Sequence, residues 1–89
     1  MDEIVWVFNG SSGHFASAVF SSKENAEAWI AKKRLTGILT AYPLNIGIYD
    51  WAIQNGFFEP TEDKHKIPEF IQRFSSASQE HYHYEDGSR

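Results

Sequence analysis

The chain has 89 residues, which is enough for one domain with a modest hydrophobic core. It contains no cysteine, which excludes disulfides and thiolate metal sites and favours a cytoplasmic location, and its net charge of -4 disfavours nucleic acid as a partner. The longest uninterrupted apolar run, residues 4–8, is far too short to cross a bilayer, so neither a membrane partner nor a targeting segment is expected.

Two strands joined by a turn are predicted at the start of the chain. The first, over residues 3–9, is apolar on both faces, a pattern typical of a central strand that is covered on both sides. Residues 9–13, NGSSG, tolerate the positive φ angles of a hairpin turn. A second strand is predicted over residues 14–20, so the loop lacks the helix N-terminus that phosphate binding would need.

A main helix is predicted over residues 22–34. Ser21 and Glu24, three positions apart, form a capping-box pattern, with Ser22 as the alternative cap. The basic residues 32–34 stand at its end, where the helix dipole favours positive charge, and this interpretation is preferred to a nucleic-acid patch.

The second half of the chain alternates short apolar segments with turns. A third strand is predicted over residues 37–42, and a short helix over residues 46–55 that ends at Gly56, with a strand through residues 44–49 as the alternative. The polar run TEDKHK, residues 61–66, is predicted to be a mobile loop.

The C-terminal part is predicted to hold one more helix and one more strand. Pro68 suits the first turn of a helix over residues 68–76. The alternating run EHYHYE is typical of a strand over residues 80–85, followed by a solvated tail, residues 86–89.

These elements predict an α+β fold in a single domain, residues 1–89, built on a small antiparallel sheet of three to four strands. The main helix is expected on one face of the sheet and one of the shorter helices on the other. If the shorter helices do not cover the second face, it would be an exposed apolar patch of the kind that binds a partner, and the hairpin would be the binding surface. A homodimer is then the simplest complex.

Four segments, VWVFNG, VFSSKENAEAWI, LTAYPLNIGIYDWAIQNGFF and FSSASQEHYHYEDG, together resemble an uncharacterised family of small bacterial proteins. That family is a domain of unknown function, so the resemblance implies no activity. The hairpin and the following helix are also similar to small domains found near bacterial toxin, immunity and phage genes. This second similarity depends on five residues: Val19, Phe20, Ser21, Ala26 and Ile30.

The sharpest candidate for chemistry is the pair His81 and His83, two positions apart on one side of a predicted strand. Two imidazoles at this spacing can bind zinc or nickel if a third ligand comes from elsewhere in the chain, for example from His14 or His65. The alternative is an edge strand that merely displays its histidines. No catalytic residue is predicted, because the chain has neither cysteine nor a serine in a nucleophile-elbow pattern.

Aromatic residues suggest a recognition surface edged by carboxylates. The candidate binding residues are Tyr49, Asp50, Trp51, His81, Tyr82, His83 and Tyr84. Trp51 is interpreted as a core residue, and the tyrosines either as half-buried rim residues or as partner contacts.

The favoured functional hypothesis is a non-catalytic protein-interaction module without a cofactor, of an accessory or immunity-like kind. Its acidic and aromatic surface would bind a basic protein, or the chain would bind a second copy of itself. The alternative hypothesis is a ligand- or metal-binding domain that uses the C-terminal His-Tyr run.

Overall fold

The computed structural model of the protein describes residues 3–89, which form two compact units. The sheet unit comprises residues 3–44 and 79–89, and the helical unit comprises residues 45–78. The expected single domain stays a prediction.

Within residues 3–89, four strands form one antiparallel sheet in the order β2-β1-β3-β4. The strands are β1 (Ile4–Gly10), β2 (Ala18–Phe20), β3 (Gly37–Pro43) and β4 (His81–Tyr84). The two central strands, β1 and β3, pair along their whole length. The α+β class, the central position of the first strand and the C-terminal strand are thereby confirmed.

Strand β2 is shorter than the predicted residues 14–20. Ala18 lies opposite Phe8 in the pairing with β1, and β1 ends only two residues later, at Gly10. Residues 11–17 therefore have to serve as the connection, although the Ser17 N–H still donates to the Phe8 carbonyl (2.9 Å). The prediction of a strand is confirmed for residues 18–20 and is wrong for residues 14–17.

Helix α1 (Lys23–Lys33) begins one residue later than the favoured capping box implies. The chain stays extended through Ser22 (φ -137, ψ 148), whose Oγ accepts a hydrogen bond from the Asn25 N–H at 3.2 Å. The alternative cap is the one that forms, and the Ser21–Glu24 capping box is wrong.

The core of the sheet unit lies between α1 and one face of the sheet. Its buried residues are Phe8, Ala26, Ile30, Leu39 and Tyr84. Burying a large apolar side chain contributes about 1.5 to 3 kcal/mol. The core therefore accounts for much of the stability of this unit.

The residues after β4 are attached to the end of α1. Arg34 ends α1 in the left-handed conformation (φ 58), and its Nε and Nη2 donate to the two carboxylate oxygens of Asp86 at 3.2 and 2.8 Å. The Asp86 N–H donates to Thr36 Oγ1 (3.0 Å), and the Gly87 N–H donates to the Leu35 carbonyl (2.9 Å). The tail is largely exposed, as predicted, and it forms a turn that is fixed to the end of α1.

The helical unit contains α2 (Ile48–Gln54) and α3 (Pro68–Gln72). Helix α2 confirms the predicted short helix and excludes the alternative strand, and Gly56 follows it in the left-handed conformation (φ 76). Helix α3 is shorter than the predicted residues 68–76, because Arg73 leaves the helical conformation (φ -104, ψ 1). One serine side chain beyond it accepts a local backbone hydrogen bond, which competes with helix formation.

The predicted mobile loop contains a 3₁₀ helix, Asp63–Lys66. Glu62 caps it, and the His65 ring returns the contact by accepting a hydrogen bond from the Glu62 N–H (3.3 Å at Nδ1). The polar, mixed-charge composition of residues 61–66 indicated a loop and gave no sign of this reciprocal cap. Since both shorter helices belong to the helical unit, cover for the second face of the sheet stays a prediction.

Candidate functional site

Strand β4 is an edge strand, and it holds His81 and His83 on the face of the sheet opposite α1. Both side chains are exposed, with ring centroids 5.5 Å apart and ring planes at 73°. The His81 Nδ1 lies 2.7 Å from the Gln79 carbonyl oxygen. Because a carbonyl can only accept, Nδ1 carries the proton, and the lone pair of the neutral ring is on Nε2.

Tyr82 alternates with these histidines and therefore points to the α1 side of the sheet. Its hydroxyl donates to Glu80, and two cations lie over its ring, the Lys23 Nζ at 4.3 Å and the Arg89 guanidinium at 4.6 Å from the centroid. Such contacts order a surface ring. Tyr82 is therefore a half-buried rim residue of the sheet unit.

Tyr84 belongs to the core and is 6% exposed. Its hydroxyl donates to Glu27 Oε2 at 2.6 Å, and the same carboxylate pairs with Arg89 at 3.3 Å. Burial, and next the hydrogen bond to Glu27, raises the pKa of Tyr84 well above its ordinary range. The His-Tyr run thus displays its histidines on one face and buries its last tyrosine on the other.

Tyr49 belongs to an aromatic cluster inside the helical unit. Its ring lies 5.6 to 6.3 Å from those of Phe58, Phe70 and Phe74, and its hydroxyl donates to the His65 carbonyl at 2.8 Å. Aromatic pairs at these distances add to the stability gained from burial. Tyr49 therefore acts as a packing residue of this unit.

The neighbours of Tyr49 differ in exposure. Asp50 is exposed in the first turn of α2, where the helix dipole favours an acidic residue. Trp51 is half-buried and packs on Phe57, with ring centroids 5.4 Å apart. These residues and the His-Tyr run lie in different units, so the idea that they form one recognition surface stays a prediction.

A third metal ligand, on which the sequence-based hypothesis was conditional, is not found beside His81 and His83 in the described part of the chain. No group of three or more histidine, aspartate or glutamate side chains in residues 3–89 is arranged to hold a metal ion. His65 belongs to the helical unit, where its Nδ1 accepts the bond from Glu62. His14 is exposed in the connection between β1 and β2.

The β1–β2 hairpin carries the most exposed large apolar side chains of the sheet unit. Phe15 is 85% exposed and Val19 is 62% exposed. No Asp, Glu, Lys or Arg stands between Glu3 and Lys23, although 22% of the chain is charged. The hairpin is therefore an uncharged surface with an exposed aromatic ring.

Comparison with known proteins assigns the chain to a family. The family model described as Domain of unknown function (DUF7710) matches residues 5–89. The chain belongs to this family. No curated protein and no solved structure matches the chain. The resemblance to a domain of unknown function is thereby confirmed.

Two surfaces of this DUF7710 chain remain as candidates for function: the uncharged hairpin and the histidine pair. Phe15 was not predicted as a binding residue, because its segment read as part of a strand. The missing charge between Glu3 and Lys23 is the sequence signal that marks the hairpin. In the described residues of the DUF7710 chain, no helix has the length and apolar character needed to cross a membrane.

Proposed function

We propose that this protein is a non-catalytic protein-interaction module of the cytoplasm that binds its partner through the β1–β2 hairpin. The observation that carries the proposal is the 85% exposure of Phe15, in a segment that a short strand holds against β1. Exposed aromatic rings on ordered loops are typical anchors of protein interfaces, because they bring a large apolar area at low entropic cost.

The chemistry of the hairpin indicates what kind of partner it fits. Interface centres are depleted of charge and enriched in aromatic residues, as this segment is. A partner with an apolar pocket therefore suits Phe15 and Val19 better than a basic surface does. The immunity-like form of the hypothesis, in which a net charge of -4 attracts a basic protein, has no support from this hairpin.

The absence of catalysis is part of the proposal. Catalytic groups usually combine a shifted pKa with a position in a cleft. The raised pKa of Tyr84 instead belongs to a core hydroxyl that is bonded to Glu27. The structural role of the Tyr84 hydroxyl in the core therefore explains its raised pKa without catalysis.

The test compares two Phe→Ser variants. Phe15→Ser removes the anchor, and Phe57→Ser removes a phenylalanine that is 52% exposed in the helical unit. Each variant is expressed in its native cell, and the proteins that copurify are quantified against wild type. Burying a phenylalanine contributes about 1.5 to 3 kcal/mol, so Phe15→Ser should weaken the complex roughly 10- to 100-fold.

The proposal fails if Phe15→Ser retains every partner that wild type retains, or if both variants lose the same partner equally. Circular dichroism must show that both variants keep the wild-type fold. Sedimentation of the purified protein at increasing concentration identifies the alternative occupant, a second copy of the chain. Self-association that Phe15→Ser removes would show that the partner is the protein itself.

A further inference from the structure

Two imidazoles stand next to each other at the free edge of the sheet, where the interaction proposed for the hairpin does not use them. They belong to His81 and His83 of β4, and both are exposed. We infer that these two side chains form a two-ligand site for a divalent transition-metal ion of the copper, nickel or zinc type.

The spacing of the rings agrees with chelation of one ion. A metal–nitrogen bond is about 2.1 Å long, and the centre of an imidazole lies about 1.2 Å behind its nitrogen. Two imidazoles at a tetrahedral angle around one ion therefore have centroids about 5.4 Å apart. The centroids of His81 and His83 are 5.5 Å apart. The observed separation is therefore compatible with both rings binding the same ion.

A second contact already prepares His81 for this role. Its Nδ1–H donates to the Gln79 carbonyl (2.7 Å), and so the lone pair of the neutral ring is on Nε2. Metal-binding histidines commonly donate their other N–H to a carbonyl or carboxylate, which fixes the tautomer and raises the basicity of the ligand. The Gln79 side chain is buried and donates to the Ala41 carbonyl (3.2 Å), so the residue that holds His81 is itself anchored to β3.

The surroundings leave room for the rest of the coordination sphere. A shallow depression of about 420 Å³ adjoins His83 and is lined in part by Asn9 and Ile38, and the His81 side chain is exposed to solvent. Water molecules fill the open positions of such a site. The site is thus an exposed chelate rather than a closed structural metal centre.

The ligand type selects the class of ion. Imidazole nitrogen suits copper, nickel and zinc, whereas calcium and magnesium prefer oxygen ligands. With no thiolate in the chain, Cu²⁺ should bind more tightly than Ni²⁺ or Zn²⁺. This order gives the inference a second measurable property besides binding itself.

The test is calorimetric titration of the tag-free, chelator-treated protein with Cu²⁺, Ni²⁺ and Zn²⁺ salts. One ion per chain should bind. Loss of a residue that only hydrogen-bonds to a metal ligand lowers metal affinity by roughly 10- to 100-fold, so loss of a ligand in His81→Ala or His83→Ala should lower it at least roughly tenfold. His14→Ala is the matched control, because it removes an exposed histidine of the β1–β2 connection and should leave binding unchanged. Binding that survives the double variant His81→Ala/His83→Ala would overturn the inference, as would the absence of saturable binding.

Nuclear magnetic resonance of the histidine ring nitrogens tests the geometry separately. In the metal-free protein His81 should carry its proton on Nδ1, and Zn²⁺ should shift Nε2 of His81 together with one nitrogen of His83. A His81 ring protonated on Nε2 in the metal-free protein would contradict the proposed arrangement. The Phe15→Ser protein should bind metal as wild type does, so failure of this inference and failure of the proposed function are distinguishable.

Discussion

Gly37 is the position at which a single methyl group should damage the sheet most. It begins β3 and lies opposite Gly10 of β1. A Cβ at Gly37 would lie 2.3 Å from the Asn9 carbonyl oxygen, 2.7 Å from Cζ of Phe8 and 2.9 Å from Cα of Gly10. Two of these three atoms are backbone, so no side-chain rotation relieves the clash.

The size of the effect follows from what has to move. Overpacking a core typically costs about 1 to 3 kcal/mol. Relief of the contact with the Asn9 oxygen also separates β1 from β3 and weakens ladder hydrogen bonds that contribute about 1 kcal/mol each. We expect Gly37→Ala to lower the free energy of unfolding by about 3 kcal/mol or more, a large part of the roughly 5 to 15 kcal/mol of a small domain.

The matched control is Gly10→Ala. A Cβ at Gly10 would meet nothing closer than the Thr36 carbonyl oxygen at 3.9 Å, and Gly10 has no positive φ. The added methyl group restricts the unfolded chain and should change the stability by no more than about 1 kcal/mol, in the stabilising direction. The two substitutions therefore add the same group to facing residues with opposite expected results.

Urea unfolding measures the difference between these variants. Trp6 and Trp29 belong to the sheet unit and Trp51 to the helical unit, so a Trp51→Phe background makes tryptophan fluorescence report the sheet alone. Equal unfolding midpoints for Gly37→Ala and Gly10→Ala would refute the close approach of β1 and β3 at this point.

Two further predictions concern α1 and its contacts. Tyr84→Phe should lower the stability at pH 7 by about 1 to 2 kcal/mol, because Glu27 loses a charge-assisted hydrogen bond. The folded-state pKa of Tyr84 is raised, so its contribution to stability is complete below the ordinary tyrosine pKa near 10 and is lost as the pH rises above it. The free energy of unfolding, measured with urea at pH 7, 9 and 11, should therefore decrease more with pH for wild type than for Tyr84→Phe. An equal decrease for both proteins would contradict the assignment. Ser22→Ala should cost about 1 kcal/mol in thermal unfolding, because it removes the cap bonded to Asn25, whereas Ser21→Ala should be near neutral; the reverse order would restore the capping box predicted from the sequence.

Much of the fold was predictable because local patterns and tertiary packing agree. Apolar residues on both faces of β1 indicated a central strand, and Gly56 marked the end of α2. The alternation in the C-terminal run predicted β4 and placed His81 and His83 on one face of it. These signals depend only on the type and spacing of residues along the chain, which can be read from the sequence.

The elements that escaped prediction depend on partners distant in sequence. Asp86 is held by Arg34, which is 52 positions away, and this contact turns an expected tail into a fixed turn. The length of β2 depends on where β1 ends, and its own alternation does not contain that information. The exposure of Phe15 was equally hidden, because an apolar residue in an alternating pattern reads as buried until the register is known.

The order of the strands along the chain also sets the timing of assembly. The chain leaves the sheet unit after Leu44 and returns to it only at Gln79, so that β3 waits for its edge partner β4 while the helical unit is synthesised. At about 5 to 20 residues per second, this delay lasts roughly two to eight seconds. During that time the β3 edge is unpaired on the nascent chain and open to other strands. The histidine pair forms last, since it lies on the strand that closes this edge.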